Sequence, residues 1–365
     1  MIEPPKNPRS RFALFFTVVL APTCLLCPCL VYSQGESLKL MEFSHTNSVS
    51  ILLGESARGR ETGDNGLRHP FTGGGDARTT FSNVEGTPCR CLDSSVQHLP
   101  KAYFPFRIDP TFKGEEVSNV RIDVDYFDGA AGQAGVFGLQ FDASGVENRN
   151  GAYKPCYPNV PLKGSQKWLK ATFHVQNATF QNAQNVGGDF RLWASPPELC
   201  VSRVTVTLEP QAPKETPLEF DSAGEAKLRE WNVQWDSGSR PSYASNIGSA
   251  KEAHWLEVRA PGSFGVGSWR TTILLDAGDY QFVGKARTQG LEGEAGRTGG
   301  VSLRMSFRSG ATIIPTAPDW TTLTFDFTLP GSTYVELICE VSGSQGSARF
   351  DLDSLKLVRK SKARP

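Results

Sequence analysis

Asp123 and Asp125 stand two residues apart in the alternating stretch VRIDVDYFD, so both carboxylates fall on one side of an extended chain. Glycoside hydrolysis needs two carboxylates roughly 5 to 9 Å apart. Acidic residues at every second position also describe an ordinary wet strand face, and we assign this pair no catalytic role. The five histidines, His45, His69, His98, His174 and His254, show no HxH or HExxH spacing that would gather a zinc ion. Neither a GxSxG elbow nor a GxxxxGK[ST] phosphate cradle occurs.

Aromatic residues with polar neighbours are a different matter. Sugar rings have apolar faces and a rim of hydroxyls, so sites that hold them combine an open aromatic platform with Asp, Asn, Gln or Arg at its edge. In HWLEV, Leu256 and Val258 take the core side, which turns Trp255 and Glu257 the other way. Trp269 follows the loop GSFGVGS and is expected at a rim, with Arg287 and Gln289 near the end of a neighbouring strand. Trp255, Glu257, Trp269, Arg287 and Gln289 are therefore the candidate carbohydrate contacts. Tyr153, Asp189, Arg191 and Trp193 are placed on a comparable face of the first half. Trp168 and Trp320, which recur in both halves, are expected to cap the two cores.

Such residues need strands to hold them. In PDWTTLTFDFTL, Leu323, Phe325 and Phe327 point one way while Thr322, Thr324 and Asp326 point the other. About 150 residues earlier, at the scale of one domain, KWLKATFHVQ repeats the pattern, with Phe173 five positions after Trp168 and Val175 two further. We read these as the same strand in two copies of one β-sandwich. The first copy continues through YFPFRID, VRIDVDYFD, VFGLQFDA, DFRLWA and VSRVTVTLEP, and the second through GDYQFVGKA, VSLRMSF, YVELICEV and FDLDSLKLV. VRIDVDYFD and VFGLQFDA, joined by the small-residue loop GAAGQAG, read as a hairpin, and GDYQFVGKA with VSLRMSF as its counterpart. Trp168 precedes Val204, and Trp320 precedes Leu355, by about 35 positions in each case, which marks an internal duplication.

The chain has 365 residues, enough for two cores of ordinary size. Lys plus Arg and Asp plus Glu each total 38, so no basic field attracts nucleic acid. Residues 1–33 read as a secretory signal peptide: Lys6, Arg9 and Arg11 lead into FALFFTVVLA, with cleavage expected after about Ser33 and an uncleaved anchor as the alternative. The mature chain holds no later run apolar enough for a membrane span. This places the protein outside the cell or on its surface. The expected organisation is a first domain over 34–210, a Pro-punctuated linker over 211–217, a second domain over 218–358 and a basic tail over 359–365. Export permits disulfides. Cys89 and Cys91 flank one residue on an extended strand and point the same way, so one of them is expected to reach Cys156 or Cys200. Cys339, in line with Val335, Leu337 and Val341, reads as a buried apolar residue.

The second half, from about Leu218 to Val358, resembles the jelly-roll carbohydrate-binding modules of families four and nine. The motifs that carry it are PLEF with Trp231 downstream, HWLEV, LDAGDYQFVGKAR, Trp320 and the closing GSARFDLDSLKL. Through DYFD, QKWLKATFHV and GGDFRLW, the first half resembles the galactose-binding-like sandwiches of large secreted bacterial proteins. The resemblance implies an all-β chain of two tandem antiparallel sandwiches, jelly-roll or galactose-binding-like, after a signal peptide. It implies a non-catalytic secreted protein that binds polysaccharide or glycan. An adhesive surface protein whose sandwiches contact other proteins is the alternative, and a glycan-active enzyme the third reading. It also implies a structural calcium, with Glu219 and Asp351 as side-chain ligands and backbone carbonyls completing the shell.

Overall fold

Short apolar runs that alternate with polar residues and end at Gly, Pro or Asn can bury only one face each, and they do so here as stacked sheets. The computed structural model describes residues 47–54, 62–70, 75–113, 118–129, 134–143, 151–247, 253–308 and 312–360; the expected signal peptide and most of the basic tail lie outside them. Among the described residues no helix is long and apolar enough to cross a membrane.

The first half carries β1 (Ser48–Leu52), β2 (Thr62–Asp64), β3 (Leu67–His69), β4 (Thr79–Val84), β5 (Thr87–Leu92) and β6 (Ala102–Ile108). It goes on through β7 (Ser118–Phe127), β8 (Gly135–Phe141), β9 (Lys154–Leu162), β10 (Trp168–Ala178), β11 (Phe190–Ser195) and β12 (Cys200–Leu208). One of its sheets runs β10-β7-β12-β5-β4, with β1 also on β12, and the other runs β2-β3-β6-β11-β8-β9. The second half carries β13 (Glu225–Lys227), β14 (Asn232–Gly238), β15 (Ser242–Asn246), β16 (Trp255–Arg259) and β17 (Gly265–Leu275). After these come β18 (Gly278–Glu292), β19 (Gly300–Met305), β20 (Thr321–Leu329), β21 (Thr333–Gly343) and β22 (Gln345–Lys360). Its sheets run β15-β16-β22-β18-β20, with β13 on β22, and β14-β17-β21-β19. The chain is all-β and antiparallel, and the wiring repeats. Order β10-β7-β12 returns as β20-β18-β22, and β6-β11-β8 as β17-β21-β19.

Each half closes over its own apolar cluster. Phe104, Phe106, Phe137, Phe173 and Phe190 fill the first, with Phe106 and Phe190 stacked at 5.0 Å. Tyr280, Phe282, Phe350 and Leu357 fill the second, and Leu323, Phe325 and Phe327 stand beside them on β20. Burying each such side chain contributes about 1.5 to 3 kcal/mol.

Two expectations about this layout need correcting. VRIDVDYFD and VFGLQFDA do not form a hairpin: β7 and β8 lie in opposite sheets, as do β18 and β19. A strand facing its neighbour across the core buries one row just as a hairpin partner does, so alternation cannot tell them apart. Nor does Trp320 cap a core. It stands 39% exposed, because it shares its side of the chain with Thr322 and Thr324 and not with Leu323. Trp168, at the equivalent place, is half-buried, with its ring against Phe127 and its Nε1 donating to Val84 O at 3.2 Å.

Cys91 is bonded to Cys200 across the register pair that joins β5 to β12. Cys89 lies on the same side of β5, its Sγ 3.9 Å from that of Cys91, while Cys156 and Cys339 are buried and free. Where the two halves meet, Arg270 on β17 lies between Asp236 and Glu336, at 2.5 Å from each. Across the junction, Asn159 Nδ2 donates to Glu336 Oε1 at 3.2 Å, and Ser195 Oγ donates to Trp235 O at 3.0 Å. Burial, with the Arg270 charge beside it, lowers the Lys101 ammonium at this junction to about 8.

Candidate functional site

The register of β16, β22 and β18 lines up three outward side chains, Glu257, Arg349 and Arg287, in one row across the sheet. Trp320 stands at the start of β20 and completes the row, its ring centre 4.8 Å from the Arg287 guanidinium carbon. One row further on, Trp255 pairs with Asp351 and Asp351 with Lys285. Arg349 reaches back over the half-buried Trp255 ring at 4.3 Å. The result is a face with an indole at each end and a guanidinium against each indole, an arrangement worth about 0.5 to 2 kcal/mol per pair.

Glu257 holds Arg349 and Arg259 in place. It is only 2% exposed, with Oε1 accepting from Arg349 Nε at 3.1 Å and Oε2 from Arg259 Nε and Nη2 at 3.2 and 3.0 Å. Burial acts to raise its carboxyl, and the two guanidiniums outweigh burial, so its pKa ends below the ordinary value. Glu257 is thus a positioning residue with no free edge for a ligand. Beside this row, Arg287, Gln289, Pro318, Ser347 and Arg349 line an open depression of about 440 Å³.

The structure therefore brings together Trp255, Glu257, Arg287 and Gln289, and adds Trp320 and Arg349. Trp320 was legible in principle from its parity with the threonines of β20. Trp269 is not part of this face. It is 6% exposed and packs in the second core, its Nε1 donating to Glu257 O at 3.0 Å and its ring edge-on to Tyr243. A glycine-rich loop before a tryptophan says nothing about which side of the next strand it takes, and this one takes the core side.

Glu219 and Asp351 do not share a shell. Glu219 is exposed between Leu218, whose N–H donates to Leu274 O, and Phe220, whose ring lies 5.8 Å from that of Tyr280. Asp351 pairs with Lys285, five residues further along β18 than Tyr280, roughly 17 Å of strand. Among the described residues the close grouping of metal-capable side chains is Cys89, Cys91 and Cys200, two of them in the disulfide, and neither carboxylate belongs to it.

In the first half, Asp189 is fully buried, accepting from Ile108 N, Asn182 N and Lys113 Nζ at 2.8, 3.0 and 2.7 Å. It holds a loop and faces no ligand. Trp193 is buried beneath Lys101, at 4.4 Å. Tyr153 and Arg191 do meet, at 4.2 Å, and Tyr103, which the sequence did not single out, joins them at 3.8 Å from Arg191. Asp123 and Asp125 share an outer face as their spacing requires. Arg121 and Thr172 satisfy the first, at 3.1 and 2.7 Å, and Lys170 the second, at 3.5 Å.

No protein-family model matches this chain, and no curated protein matches it. Several solved structures are similar to parts of it. The family 61 carbohydrate-binding module TmCBM61, determined with β-1,4-galactotriose, is 13% identical over 37% of this chain and 91% of the module, with a TM-score of 0.27. A family 4 module is 18% identical over 40% of this chain and 96% of its own, with a TM-score of 0.26. The enzymatically active domain of tailspike protein 4 from bacteriophage CBA120 is 12% identical, with a TM-score of 0.27; the match spans 36% of this chain and 19% of the tailspike domain.

Proposed function

We propose that this chain is an exported, non-catalytic protein that binds polysaccharide or glycan on the outer face of β16, β22, β18 and β20. The observation that carries the reading is the pair of tryptophans, Trp255 on β16 and Trp320 at the start of β20, on opposite sides of a face that has Arg349 and Arg287 between them. An indole face takes the C–H side of a sugar ring, and the guanidiniums, Gln289 and Ser347 supply donors to its hydroxyls. Arg349, stacked on Trp255 and braced by the buried Glu257, loses little freedom on binding, so less ordering entropy opposes a ligand. The basic-then-apolar leader and the Cys91–Cys200 bond support export.

Retardation in native gels cast with uncharged soluble polysaccharides tests this reading. At least one polysaccharide slows the chain, and Trp320→Ala reduces the retardation. A folded chain that migrates unchanged through every polysaccharide, and stays dark on a glycan array, removes the proposal.

A further inference from the structure

A second place in the molecule shows the marks of a binding site, on the other sandwich and on a different sheet. Arg191 projects from the outer face of β11, and its Nε donates to Gln140 Oε1 at 2.8 Å. The guanidinium carbon lies 3.8 Å from the Tyr103 ring centre and 4.2 Å from that of Tyr153. Two rings that near cannot both occupy one face of so small a group, so together they cover it above and below. Tyr153 is fixed in turn, its hydroxyl donating to Asn185 Oδ1 and accepting from Asn185 N, both at 2.9 Å. The two terminal amino groups of Arg191 make no hydrogen bond or ion pair within the described residues. They border a depression of about 380 Å³ lined also by Asp76, Tyr103, Gln184 and Asn185.

Gln184 supplies an independent sign. It is 4% exposed, and its Nε2 is committed to Gln140 O and Ala152 O at 3.1 and 2.7 Å, yet its Oε1 has no partner. A buried carbonyl oxygen without a donor costs about 1 to 3 kcal/mol. The same small site thus pairs a donor fork with an acceptor still in want of a hydrogen. Burial also lowers the Arg191 pKa, against the opposing pull of Tyr103, Tyr153 and Asp76, so this guanidinium has shed water with no carboxylate in ion-pair contact.

We infer that the Arg191 depression is a site for a carboxylated sugar, a uronic acid residue of an acidic polysaccharide. With its faces covered by tyrosines, the guanidinium is open only along its edge. A planar carboxylate meets that edge with two parallel hydrogen bonds. A phosphate or sulfate in the same place would carry two oxygens out of that plane, towards the rings, where a carboxylate has none. The neighbouring Asp76 carboxylate, on the same depression, suits the hydroxyls that flank a uronate. An acidic peptide has no such hydroxyls and would bring further carboxylates towards Asp76. This site does not depend on the Trp255–Trp320 face.

The full chain is titrated calorimetrically, in chelator and at 50 mM salt, with oligogalacturonate and with its methyl ester, which keeps the sugar skeleton and removes the charge. Oligogalacturonate binds at least tenfold more tightly than the ester, and raising the salt weakens it. Arg191→Lys keeps a positive charge but loses the fork, and it weakens oligogalacturonate binding at least tenfold with the unfolding midpoint unchanged. Equal affinity for acid and ester overturns the inference, and so does unaltered binding by folded R191K. Binding of oligoglutamate that R191K abolishes, with oligogalacturonate unbound, also overturns it. The acid-against-ester comparison needs no variant, so a misfolded R191K leaves the test standing. Neutral-polysaccharide retardation is scored separately, and the two sites therefore fail or hold independently.

Discussion

On β7 and β10 the outward side chains neutralise one another: Asp123 takes Arg121 and Thr172, and Asp125 takes Lys170. The corresponding strands of the second half, β18 and β20, carry similar pairs, Gln281 with Asp326 and Asp279 with Thr328, but at one end they turn outward Arg287 with Trp320 against it. The strand order beneath is the same. One scaffold therefore presents a closed charge pattern in one copy and an aromatic platform in the other. In the first half the polar pocket sits instead on the opposite sheet, at Arg191 on β11. A repeated architecture leaves the outward positions free to diverge, because the inward rows alone determine whether the sheets stack.

The largest expected effect belongs to the charged triad that the second half places at the junction. Arg270→Ala leaves Asp236 and Glu336 buried together and uncompensated, a loss of about 3 to 5 kcal/mol. Urea unfolding reads it, and a midpoint change worth under about 1 kcal/mol would show that this triad does not stabilise the second half.

Acid should separate the two halves. His69 is buried, its Nδ1 2.8 Å from Pro105 O and its Nε2 3.0 Å from Thr79 Oγ1; burial lowers its pKa from 6.5 to about 4. The unfolded chain binds the extra proton in this window, so His69's contribution is complete above pH 6.5 and disappears as pH falls towards 4. The total is about 3 kcal/mol. The depressed carboxyl of Glu257 in the second half acts lower, its contribution fading only as pH falls below the ordinary 4.5. Thermal unfolding against pH, with His69→Gln as the flattened control, distinguishes the two ranges.

A smaller change sharpens the contrast between outer faces. Trp255→Ala or Trp320→Ala weakens binding of a retarding neutral polysaccharide about tenfold, near 1.4 kcal/mol, measured by affinity gel with near-ultraviolet circular dichroism as the fold control. The smallest effect belongs to the closed pattern on β7. Arg121→Ala shifts stability by under about 0.5 kcal/mol and leaves glycan retardation unchanged, since its pair with Asp123 lies open to solvent.

Much of this was readable before the coordinates. Leu323, Phe325 and Phe327 alternate as one buried row, Phe173 and Val175 do the same in the first copy, and Cys91 met one of the two partners left to it. The failures have physical causes. From Gly267 to Thr271 on β17 and from Val335 to Cys339 on β21 every residue is buried, because one face meets the core and the other lies at the junction, so no alternation marks Trp269 as inward. Glu219 and Asp351 were joined by likeness to a motif, and register along β18 keeps them apart. Tyr103, Gln184 and Arg191 come from three separate segments and meet only through the pairing of β6, β11 and β8, which no local pattern encodes.

The junction has a practical bearing on how the protein is taken apart. The Arg270 triad is built wholly from β14, β17 and β21, so a fragment beginning at 218 keeps its three charges, but Glu336 loses Asn159 and Trp235 loses Ser195. Excising either half along 211–217 would wet a surface made to be dry, rich in tryptophan and tyrosine, and such pieces would tend to self-associate on purification. Expression of the pair as one polypeptide, with point changes in place of truncation, is the sounder way to assign an activity to either side.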